Sequence, residues 1–273
     1  MGYVDLHLHS TASDGVVSPT EIAREVASRG LRGFSLTDHD TVDGVEEAAA
    51  EADRLGLEFL VGAELSANAP GQSIHILAYG FDVTHPGMRA FFRDFRADRL
   101  RRVDEIVALL QALGAGLTLD DVMDEAAGGV PTRAHVGRAL VNGGWVRDDH
   151  EAFNRYIARG KPAFVEKKPT PPELVCDLVR SAGGVTLLAH PGRDYTQAQL
   201  ARWMDDSFDG LEIFHPRNNP GIRRSLEQLA EQKDLLRGGG SDWHGTSSGA
   251  PPGSQRVPIE WMRAIEARCT AIQ

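Results

Sequence analysis

The chain has 273 residues, of which 41% are hydrophobic, which is enough for one α/β barrel or two modest domains with a substantial core. Its formal charge of −10 argues against a broad basic surface for duplex DNA, although a phosphate group could still be bound locally. The two cysteines show neither metal-binding nor disulfide spacing, and no apolar run approaches the ~20 residues of a membrane span.

Seven short apolar runs predict strands, and most are separated by helical patterns. They are YVDL (3–6), GFSL (33–36), FLVG (59–62), IHILAYG (74–80), VTLLAH (185–190), DGLEIFH (209–215) and LLRGGGSD (235–242). Helix-start signals precede three of the helices: Ser18 with Pro19 and Glu21, Thr170 with Pro171 and Glu173, and Thr196 with Gln199. Strands that alternate with helices predict a parallel sheet. The first run has no signal-peptide pattern before it, which favours a cytoplasmic location.

The segment 92–164 interrupts this alternation. Apolar residues recur there at helical spacing, as between Val103 and Leu113, and no convincing strand follows before residue 165. We therefore expect a helical insertion at 92–164 that covers the active site, within a discontinuous barrel domain made of 1–91 and 165–273. The alternative is a long run of outer barrel helices.

The opening stretch VDLHLHSTASDG, residues 4–15, contains a pair of histidines in a strand-like run. Because side chains alternate along a strand, His7 and His9 point to the same face. A single histidine in such a place is usually a core or surface residue. A pair followed by Asp14 favours a metal site instead, since imidazole and carboxylate together suit zinc, manganese or iron.

Residues of the same types recur near the ends of the other predicted strands. They are Asp38 and His39, Glu64, His75, His190, His215, and the pair Asp242 and His244. The carboxyl ends of parallel barrel strands meet at one face, so these side chains are expected to converge there.

Nine of the converging side chains are predicted metal ligands: His7, His9, Asp14, His39, Glu64, His75, His190, Asp242 and His244. A catalytic zinc needs three protein ligands, so nine predict two or three divalent ions. Two ions bridged by a carboxylate such as Glu64 can hold a hydroxide for an in-line displacement. This chemistry indicates phosphoester hydrolysis, with amide or lactone hydrolysis as its chemical neighbour.

The motifs DLHLHSTASDG, LTDHDTVDG, GAELSA, IHILAYGF, LLAHPGR and GGSDWHG resemble, in order, those of the PHP family of polymerase and histidinol phosphatase domains. Within that family the chain is similar to a branch of nucleotide phosphatases and exoribonucleases. The resemblance implies a distorted seven-stranded (β/α) barrel with a trinuclear metal centre.

The resemblance also implies how the ligands are shared between the ions. His7, His9, Glu64 and Asp242 would hold one ion, Glu64, His75 and His190 a second, and Asp14, His39 and His244 a third. Many family members have histidine in place of Asp14, and this harder oxygen ligand favours manganese, iron or magnesium at the third site.

Substrate contacts are expected from the insertion and from the later strands. The segment GGVPTRAHVGRALV resembles the family segment that reaches over the metals, so Arg133 would bind phosphate and His135 would assist it or donate a proton. Arg193 is a second phosphate candidate. The alternative for both arginines is a surface ion pair. His215 is either a general acid or a support for a ligand, and Asp38 is expected to orient a ligand imidazole.

The sequence therefore predicts a metal-dependent phosphoesterase that hydrolyses phosphomonoesters of nucleotides or short RNA. A hydroxide that bridges the metals would attack phosphorus while Arg133 and Arg193 bind the equatorial oxygens. Two alternatives stay open: a histidinol-phosphate or sugar-phosphate phosphatase of the same fold, and a non-catalytic metal-binding module. No membrane partner is expected, and a monomer is favoured.

Overall fold

Eight strands form one sheet in the residues that the structure, a computed structural model, describes: 2–69, 72–192, 195–246 and 249–272. The strands are β1 (Tyr3–Asp5), β2 (Gly33–Leu36), β3 (Glu58–Ala69), β4 (Gln72–Tyr79), β5 (Val185–Leu188), β6 (Gly210–Phe214), β7 (Leu236–Gly239) and β8 (Val257–Pro258). The seven predicted strands are confirmed. The sequence pattern missed β8, which has only two residues, one of them a proline.

The order of the strands across the sheet is β7, β6, β5, β4, β3, β2, β1 and β8. Strands β1, β2 and β3 run parallel to one another, and so do β5, β6 and β7. The short β8 runs antiparallel to β1. The predicted α/β barrel is thus confirmed in type, with two parallel halves joined through β4.

The prediction of a parallel sheet is wrong at β4, which is antiparallel to both of its neighbours. β3 continues to Ala69, seven residues beyond the end of the predicted run, and only residues 70 and 71 separate it from β4. A link that short can join only antiparallel strands, since a parallel partner needs a crossover connection. As a result Glu64 lies in the middle of β3, and His75 lies before the middle of β4.

Hydrogen bonds beyond the ends of β1 and β7 close the barrel. The amide of Leu6 donates to the carbonyl of Gly239 at 3.1 Å, and the amide of Asp242 donates to that of His7 at 2.9 Å. The amide of His9 then donates to the carbonyl of Trp243 at 3.0 Å. The two segments that carry predicted ligand pairs are therefore neighbours in the closed barrel.

Helices connect the strands and cover the outside of the sheet. They are α1 (Pro19–Ser28), α2 (Val45–Leu55), α3 (Pro86–Ala112), α4 (Leu119–Ala126), α5 (Arg133–Asn142), α6 (Asp149–Ala152), α7 (Pro172–Ser181), α8 (Gln197–Asp206), α9 (Pro220–Gln232) and α10 (Ile259–Ile272), with a π-helical turn at Phe153–Ile157. None of the helices in the described ranges combines the length and the apolar character that crossing a membrane requires.

Two of the three predicted helix starts are confirmed by their hydrogen bonds. Ser18 caps α1 and Thr196 caps α8, each in a reciprocal capping box with the side chain three residues later. Thr170 does not cap α7. The N-cap there is Pro171, which offers no side-chain hydrogen bond, and Pro172 begins the helix.

The apolar core is divided between the barrel and the helices that follow β4. One cluster packs Leu6, Leu77 and Leu187 of the barrel region against Met262 and other residues of α10. Residues of α3, α4 and α5 form a separate cluster that extends from Val103 to Ala163. Between β4 and β5 the described chain is helical, without a strand, and α3 begins before the expected boundary at residue 92.

The close approach of the strands at the barrel seam generates a stability prediction. A Cβ at Gly240 would lie 2.4 Å from both the amide nitrogen and the Cβ of His7. Gly240→Ala should lower the free energy of unfolding by about 1–3 kcal/mol, the usual cost of overpacking. Denaturant titration measures this change.

Gly116→Ala is the matched control, because the nearest atom to its added Cβ belongs to Trp145 at 3.6 Å. This variant should unfold at nearly the wild-type denaturant concentration. An equal unfolding midpoint for Gly240→Ala and the wild type would contradict the proposed close packing at the seam.

Candidate metal centre and adjoining cavity

Five imidazoles surround the carboxylate of Glu64, which is 1% exposed in the middle of β3. One oxygen, Oε1, lies 2.8 Å from His75 Nδ1 and 3.0 Å from His190 Nε2. The other, Oε2, faces three more imidazole nitrogens: His39 Nδ1 at 3.1 Å, His9 Nε2 at 3.3 Å and His7 Nε2 at 3.3 Å. The strands thus bring six of the nine predicted ligands to one point.

Asp242 brings a second carboxylate to the pair of histidines from the β1 segment. Its Oδ1 lies 3.2 Å from His9 Nε2 and 3.4 Å from His7 Nε2. Asp242 follows the three glycines at the end of β7, and the barrel seam places it beside His7. This agrees with the predicted convergence of the first and seventh strands.

Asp14 faces the remaining imidazoles from the loop that follows β1. Its Oδ1 is 3.4 Å from His244 Nε2 and 4.0 Å from His9 Nδ1, and its Oδ2 is 3.9 Å from His39 Nε2. Within the described part of the chain, Oδ1 accepts no hydrogen bond. The carboxylate is therefore turned toward the cluster, where it completes the set of nine predicted ligands.

Backbone strain accompanies this convergence. Asp40, His190 and Asp242 have φ angles of 54°, 28° and 54°, a region that residues other than glycine rarely adopt. Such conformations persist where the surrounding contacts determine them, and they cluster at functional sites. Here they turn two predicted ligands and the adjacent Asp40 into their observed positions.

The cluster fits divalent metal ions by its unpaired atoms and its chemistry. Five buried atoms have no hydrogen-bond partner among the residues that the structure describes: His7 Nε2, both ring nitrogens of His9, Asp14 Oδ1 and His39 Nδ1. Buried polar atoms are nearly always hydrogen-bonded. Five exceptions in one place therefore mark a position where positively charged metal ions fit, with these atoms as their ligands. Imidazole nitrogens mixed with carboxylate oxygens suit manganese, iron and zinc.

The described residues include four groups of side chains that could each hold a metal ion. Within a group, each side chain offers one ligand atom, and these atoms lie within 4.8 Å of one another. The groups are His7, His9, Glu64 and Asp242; His9, Asp14, His39 and His244; His39, Glu64 and His75; and His7, Glu212 and His215. The first group equals the set implied for the first ion, and the second contains the set implied for the third. The assignment of ligands to individual ions stays a prediction.

The carboxylates and imidazoles of the cluster shift one another's pKa. Burial by itself raises the pKa of Asp14, Glu64 and Asp242, but the facing imidazoles outweigh it and hold each pKa well below its usual range. Burial lowers the pKa of His39 to about 3. For His9 burial is outweighed by Asp242 and Glu64, which raise its pKa to about 10.

Sequence reasoning missed Glu212 of β6, a fully buried carboxylate that supports two histidines predicted to be ligands. It accepts a hydrogen bond from His7 Nδ1 at 2.9 Å and one from the backbone amide of His190 at 2.5 Å. These contacts fix the ring of His7 so that Nε2 faces Glu64. A charged residue at an inward position of an otherwise apolar strand was the signal that could have revealed it.

The predicted role of Asp38 is wrong. Instead of orienting an imidazole, its carboxylate accepts hydrogen bonds from the amide of Ser10 at 2.7 Å, the hydroxyl of Ser10 at 2.7 Å and the hydroxyl of Ser13 at 2.6 Å. Asp38 therefore fixes the loop that carries Asp14. Adjacency to His39 was misleading, because neighbouring residues in an extended segment point in opposite directions.

His215 has both ring nitrogens engaged within the protein. Nδ1 accepts from the amide of Arg217 at 3.1 Å, so the proton lies on Nε2, which donates to Asp242 Oδ2 at 3.2 Å. The ring is 1% exposed. Of the two predicted alternatives, this geometry favours support of the ligand Asp242 over proton donation to a leaving group.

The substrate residues predicted in the insertion separate in space. Arg133 lines a cavity of about 150 Å³ together with Asp14, His39 and His75. Its guanidinium lies 5.7 Å from the ring centres of both Phe153 and Phe164. This interaction, and not the surface ion pair considered as an alternative, holds Arg133 beside the predicted ligands.

His135 lines a separate cavity together with Arg138. Its Nδ1 accepts a hydrogen bond at 2.9 Å from the amide of Thr132, the N-cap residue of α5. The structure therefore does not bring His135 into the cavity of Arg133, and its contact with substrate stays a prediction. Arg193 lies outside the described residues.

The cavity beside Arg133 adjoins a larger one of about 310 Å³. Phe91, Phe95 and Leu178 line the larger cavity, and the two phenylalanine rings stack with centres 4.3 Å apart. The two cavities share Ser66, Arg99, Arg102 and Lys167. Sequence reasoning did not single out these three cationic residues.

Comparison with protein families finds a PHP domain at residues 5–159. The chain belongs to the PHP family. The resemblance found in the sequence motifs is thereby confirmed, and the PHP match begins at the last residue of β1 and includes β2 to β4 and most of the helices before β5.

Relatives of this PHP protein extend over most of its length. It is 38% identical over 245 residues to a 5′-3′ exoribonuclease of Haemophilus influenzae, covering 88% of this chain and 89% of that protein. It is 33% identical over 257 residues to a 3′,5′-nucleoside bisphosphate phosphatase of Chromobacterium violaceum, covering 91% of this chain and 90% of that protein.

A solved structure described as a metal-dependent phosphoesterase of Bifidobacterium adolescentis superposes on this PHP protein with a TM-score of 0.91. The identity is 31%, and the match covers 97% of this chain and 96% of that one. Together these likenesses identify the PHP protein as a metal-dependent hydrolase of phosphoester bonds.

The position of Asp14 generates a prediction on metal content. Asp14→Ala in this PHP enzyme should lower the bound metal by about one ion per chain, because the ligands around Glu64 remain in place. Turnover should fall more than substrate affinity. Elemental analysis after equilibration with manganese measures the first effect, and steady-state kinetics measure the second.

Asp120→Ala is the control for Asp14→Ala, since it removes an exposed carboxylate from α4. It should retain the wild-type metal content. If Asp14→Ala also retains it, the carboxylate of Asp14 is not a ligand.

Proposed function

We propose that this PHP enzyme hydrolyses phosphomonoesters of nucleotides, such as a nucleoside bisphosphate or the end of a short RNA. One observation carries the proposal: the nine-residue cluster opens on a cavity that continues into a second one lined by stacked phenylalanine rings. Apolar and aromatic walls with a few polar groups are typical of sites for planar organic ligands, and a nucleobase fits that description. The relatives named for nucleotide and RNA hydrolysis support the same substrate class.

The nine predicted residues would hold two or three divalent ions, which supply Lewis-acid neutralisation of charge on the phosphoryl oxygens. Manganese, iron and zinc match the mixed nitrogen and oxygen donors, and magnesium is an option at the set that contains Asp14. Glu212 and His215 keep His7 and Asp242 in position through their hydrogen bonds. The protein contributes a fixed arrangement of donors, so little reorganisation is required during turnover.

Arg133 binds the phosphate that undergoes hydrolysis. Its Nη1 donates to the carbonyl of Ile157 at 3.2 Å, and the two flanking rings fix the plane of the guanidinium. The remaining donors can meet a phosphate as a two-pronged fork. Arg193 stays a second phosphate candidate, and the helical segment 92–164 would select the substrate because it supplies Arg133 over the ligands.

Two other functions explain less of the site. A sugar phosphate or histidinol phosphate would leave the phenylalanine-lined cavity unused. A non-catalytic metal-binding module would not require the cavity or the half-buried Arg133 beside the cluster. The cytoplasmic location and the monomeric state stay predictions.

The function is tested by phosphate release from the manganese-loaded enzyme. Adenosine 3′,5′-bisphosphate, AMP and short oligoribonucleotides should be hydrolysed with a higher kcat/KM than histidinol phosphate or a sugar phosphate. Chelation should abolish turnover and lower the melting temperature, because the ions bind the folded state.

Two outcomes would contradict this function. One is turnover that persists after chelation with metal content verified at zero. The other is a higher kcat/KM for the sugar phosphate or histidinol phosphate than for every nucleotide.

The role of Arg133 is tested by Arg133→Lys, which keeps the charge but loses the planar fork. The kcat/KM for adenosine 3′,5′-bisphosphate should fall about tenfold or more, the scale of one charge-assisted hydrogen bond. p-Nitrophenyl phosphate should show a similar loss, because the phosphate itself is held. Arg155→Lys, on the neighbouring π-helical turn, serves as the control and should keep wild-type kinetics. Unchanged kinetics in Arg133→Lys would exclude Arg133 as the phosphate ligand.

A further inference from the structure

The loop that carries Asp14 lies between the barrel and the helices that follow β4. We call residues 10–16 the Asp14 loop. Its barrel side is fixed by the carboxylate of Asp38, which accepts three hydrogen bonds from Ser10 and Ser13. None of these three bonds involves Asp14 itself. The position of Asp14 therefore also depends on what contacts the other side of the loop.

Two residues of the helical segment contact that other side. Arg138 of α5 donates from Nη1 to the backbone carbonyl of Asp14 at 3.1 Å. The amide of Val130 donates to the carbonyl of Ala12, also at 3.1 Å. Both bonds use carbonyl groups of the loop backbone. The backbone of Asp14 is thereby bound to α5, while its carboxylate faces the predicted ligands.

Arg138 is itself held in place by α4. Its Nε lies 3.8 Å from Oε2 of Glu125, and Oε1 of Glu125 accepts a hydrogen bond from the side-chain amide of Asn142 at 2.6 Å. The side chains of Arg138 and Glu125 are each 25% exposed, so water screens their attraction only in part. A guanidinium whose plane is already fixed loses less conformational entropy when it donates to the carbonyl of Asp14.

A cavity of about 220 Å³ lies beside this hydrogen bond. Thr11, Gly15 and Val16 of the Asp14 loop line one part of it, and His135 and Arg138 of α5 line another. Because the loop and the helix are not closely packed there, little else in this region can replace the hydrogen bond of Arg138. The cavity also leaves the loop room to move when that bond is removed.

The third predicted metal ion makes strict demands on the position of Asp14. Asp14 Oδ1 is 3.4 Å from His244 Nε2, and Oδ2 is 3.9 Å from His39 Nε2. Bonds from such ligands to a divalent metal are about 2.0–2.2 Å long and tolerate deviations of only about 0.2 Å. A small displacement of the Asp14 loop would therefore weaken the binding of this ion.

We propose that Arg138 is a positioning residue for the third metal ion, the one predicted to be bound by Asp14, His39 and His244. Arg138 holds the backbone of Asp14 where its carboxylate can reach the ion. Metal affinity depends on the groups that orient the ligands, so the helical segment sets the affinity of this site and leaves the ions around Glu64 unaffected. The inference rests on the metal dependence of the proposed function and gives the helical segment a second role besides substrate selection.

Manganese binding tests this role without turnover. Chelator-treated protein is dialysed against a series of manganese concentrations, and the bound metal is measured by elemental analysis. Asp14→Ala identifies the step of the binding curve that belongs to the third ion, because that step should be missing. In Arg138→Met the same step should shift to about tenfold higher manganese, the scale on which groups that orient metal ligands act. The other steps should stay unchanged.

Arg147→Met is the control for Arg138→Met. Arg147 is an exposed arginine that pairs with Glu151 at 3.0 Å, away from the Asp14 loop. This variant should bind manganese as the wild type does.

A double variant separates the positioning of Asp14 from a general effect on the fold. In Asp14→Ala the third ion is already absent, so the further change Arg138→Met should leave the binding of the remaining ions unaltered. A merely structural role of Arg138 would instead weaken the remaining ions in both backgrounds.

Gly129→Ala disturbs the Asp14 loop at another point. A Cβ at Gly129 would lie 2.5 Å from the carbonyl oxygen of Thr11 and 3.0 Å from that of Ala12. This variant should also weaken the third ion about tenfold, whereas Gly116→Ala should not. Circular dichroism verifies that Arg138→Met is folded, and Gly129→Ala keeps the test valid if it is not.

Turnover should follow the occupancy of the third site. At manganese concentrations that fill this site only partly, Arg138→Met should hydrolyse adenosine 3′,5′-bisphosphate with a lower kcat than the wild type and a similar KM. Excess manganese should restore kcat in Arg138→Met but not in Asp14→Ala.

Two results would overturn the role of Arg138. One is a folded Arg138→Met protein that binds every ion with wild-type affinity. The other is a loss of metal that Arg138→Met causes equally in the wild-type and Asp14→Ala backgrounds. A wild-type protein that binds no manganese is a different result, because it contradicts the proposed function on which this role rests.

Discussion

The carboxylate of Glu64 is the contact on which the site depends. Five imidazoles from four different strands or their following loops meet its two oxygens at 2.8 to 3.3 Å. Without ions or protons to share, such a set of buried polar groups would be strongly unfavourable, because desolvation is not compensated by partners of opposite charge. The stability of the barrel therefore offsets this desolvation cost, because its hydrogen-bonded seam and apolar core hold together groups that would otherwise separate.

The residues of the predicted metal centre were accessible to sequence reasoning for a physical reason. His7, His9, His39 and His190 each follow an apolar run, where chain direction and strand alternation fix both location and face. The structure brings all nine predicted ligands together. Glu64 and His75 reach the same place by another route, through a long antiparallel hairpin whose two-residue link the pattern of apolar runs did not reveal.

The cationic residues that line both cavities could not be predicted in this way. Arg99 and Arg102 lie in the stretch RDFRADRLRRVDE of α3, which has the charge pattern of a solvated helix surface. Only packing of α3 against the barrel shows that these two arginines share a face turned toward the cavities. Likewise, Asp38 and Glu212 are positioned by partners distant in sequence, so neither spacing nor adjacency could assign their contacts.

The length of β3 constrains how this enzyme can change. Glu64 faces the other predicted metal ligands and Ser66 lines both cavities, and the two residues belong to one continuous strand that is paired on both edges. Inserting or deleting one residue between them would turn one of the two side chains to the opposite face of the sheet. The interval along β3 between the predicted metal ligands and the boundary of the two cavities can therefore vary only in steps of two residues, and any finer change in this spacing has to come from the helical segment 92–164.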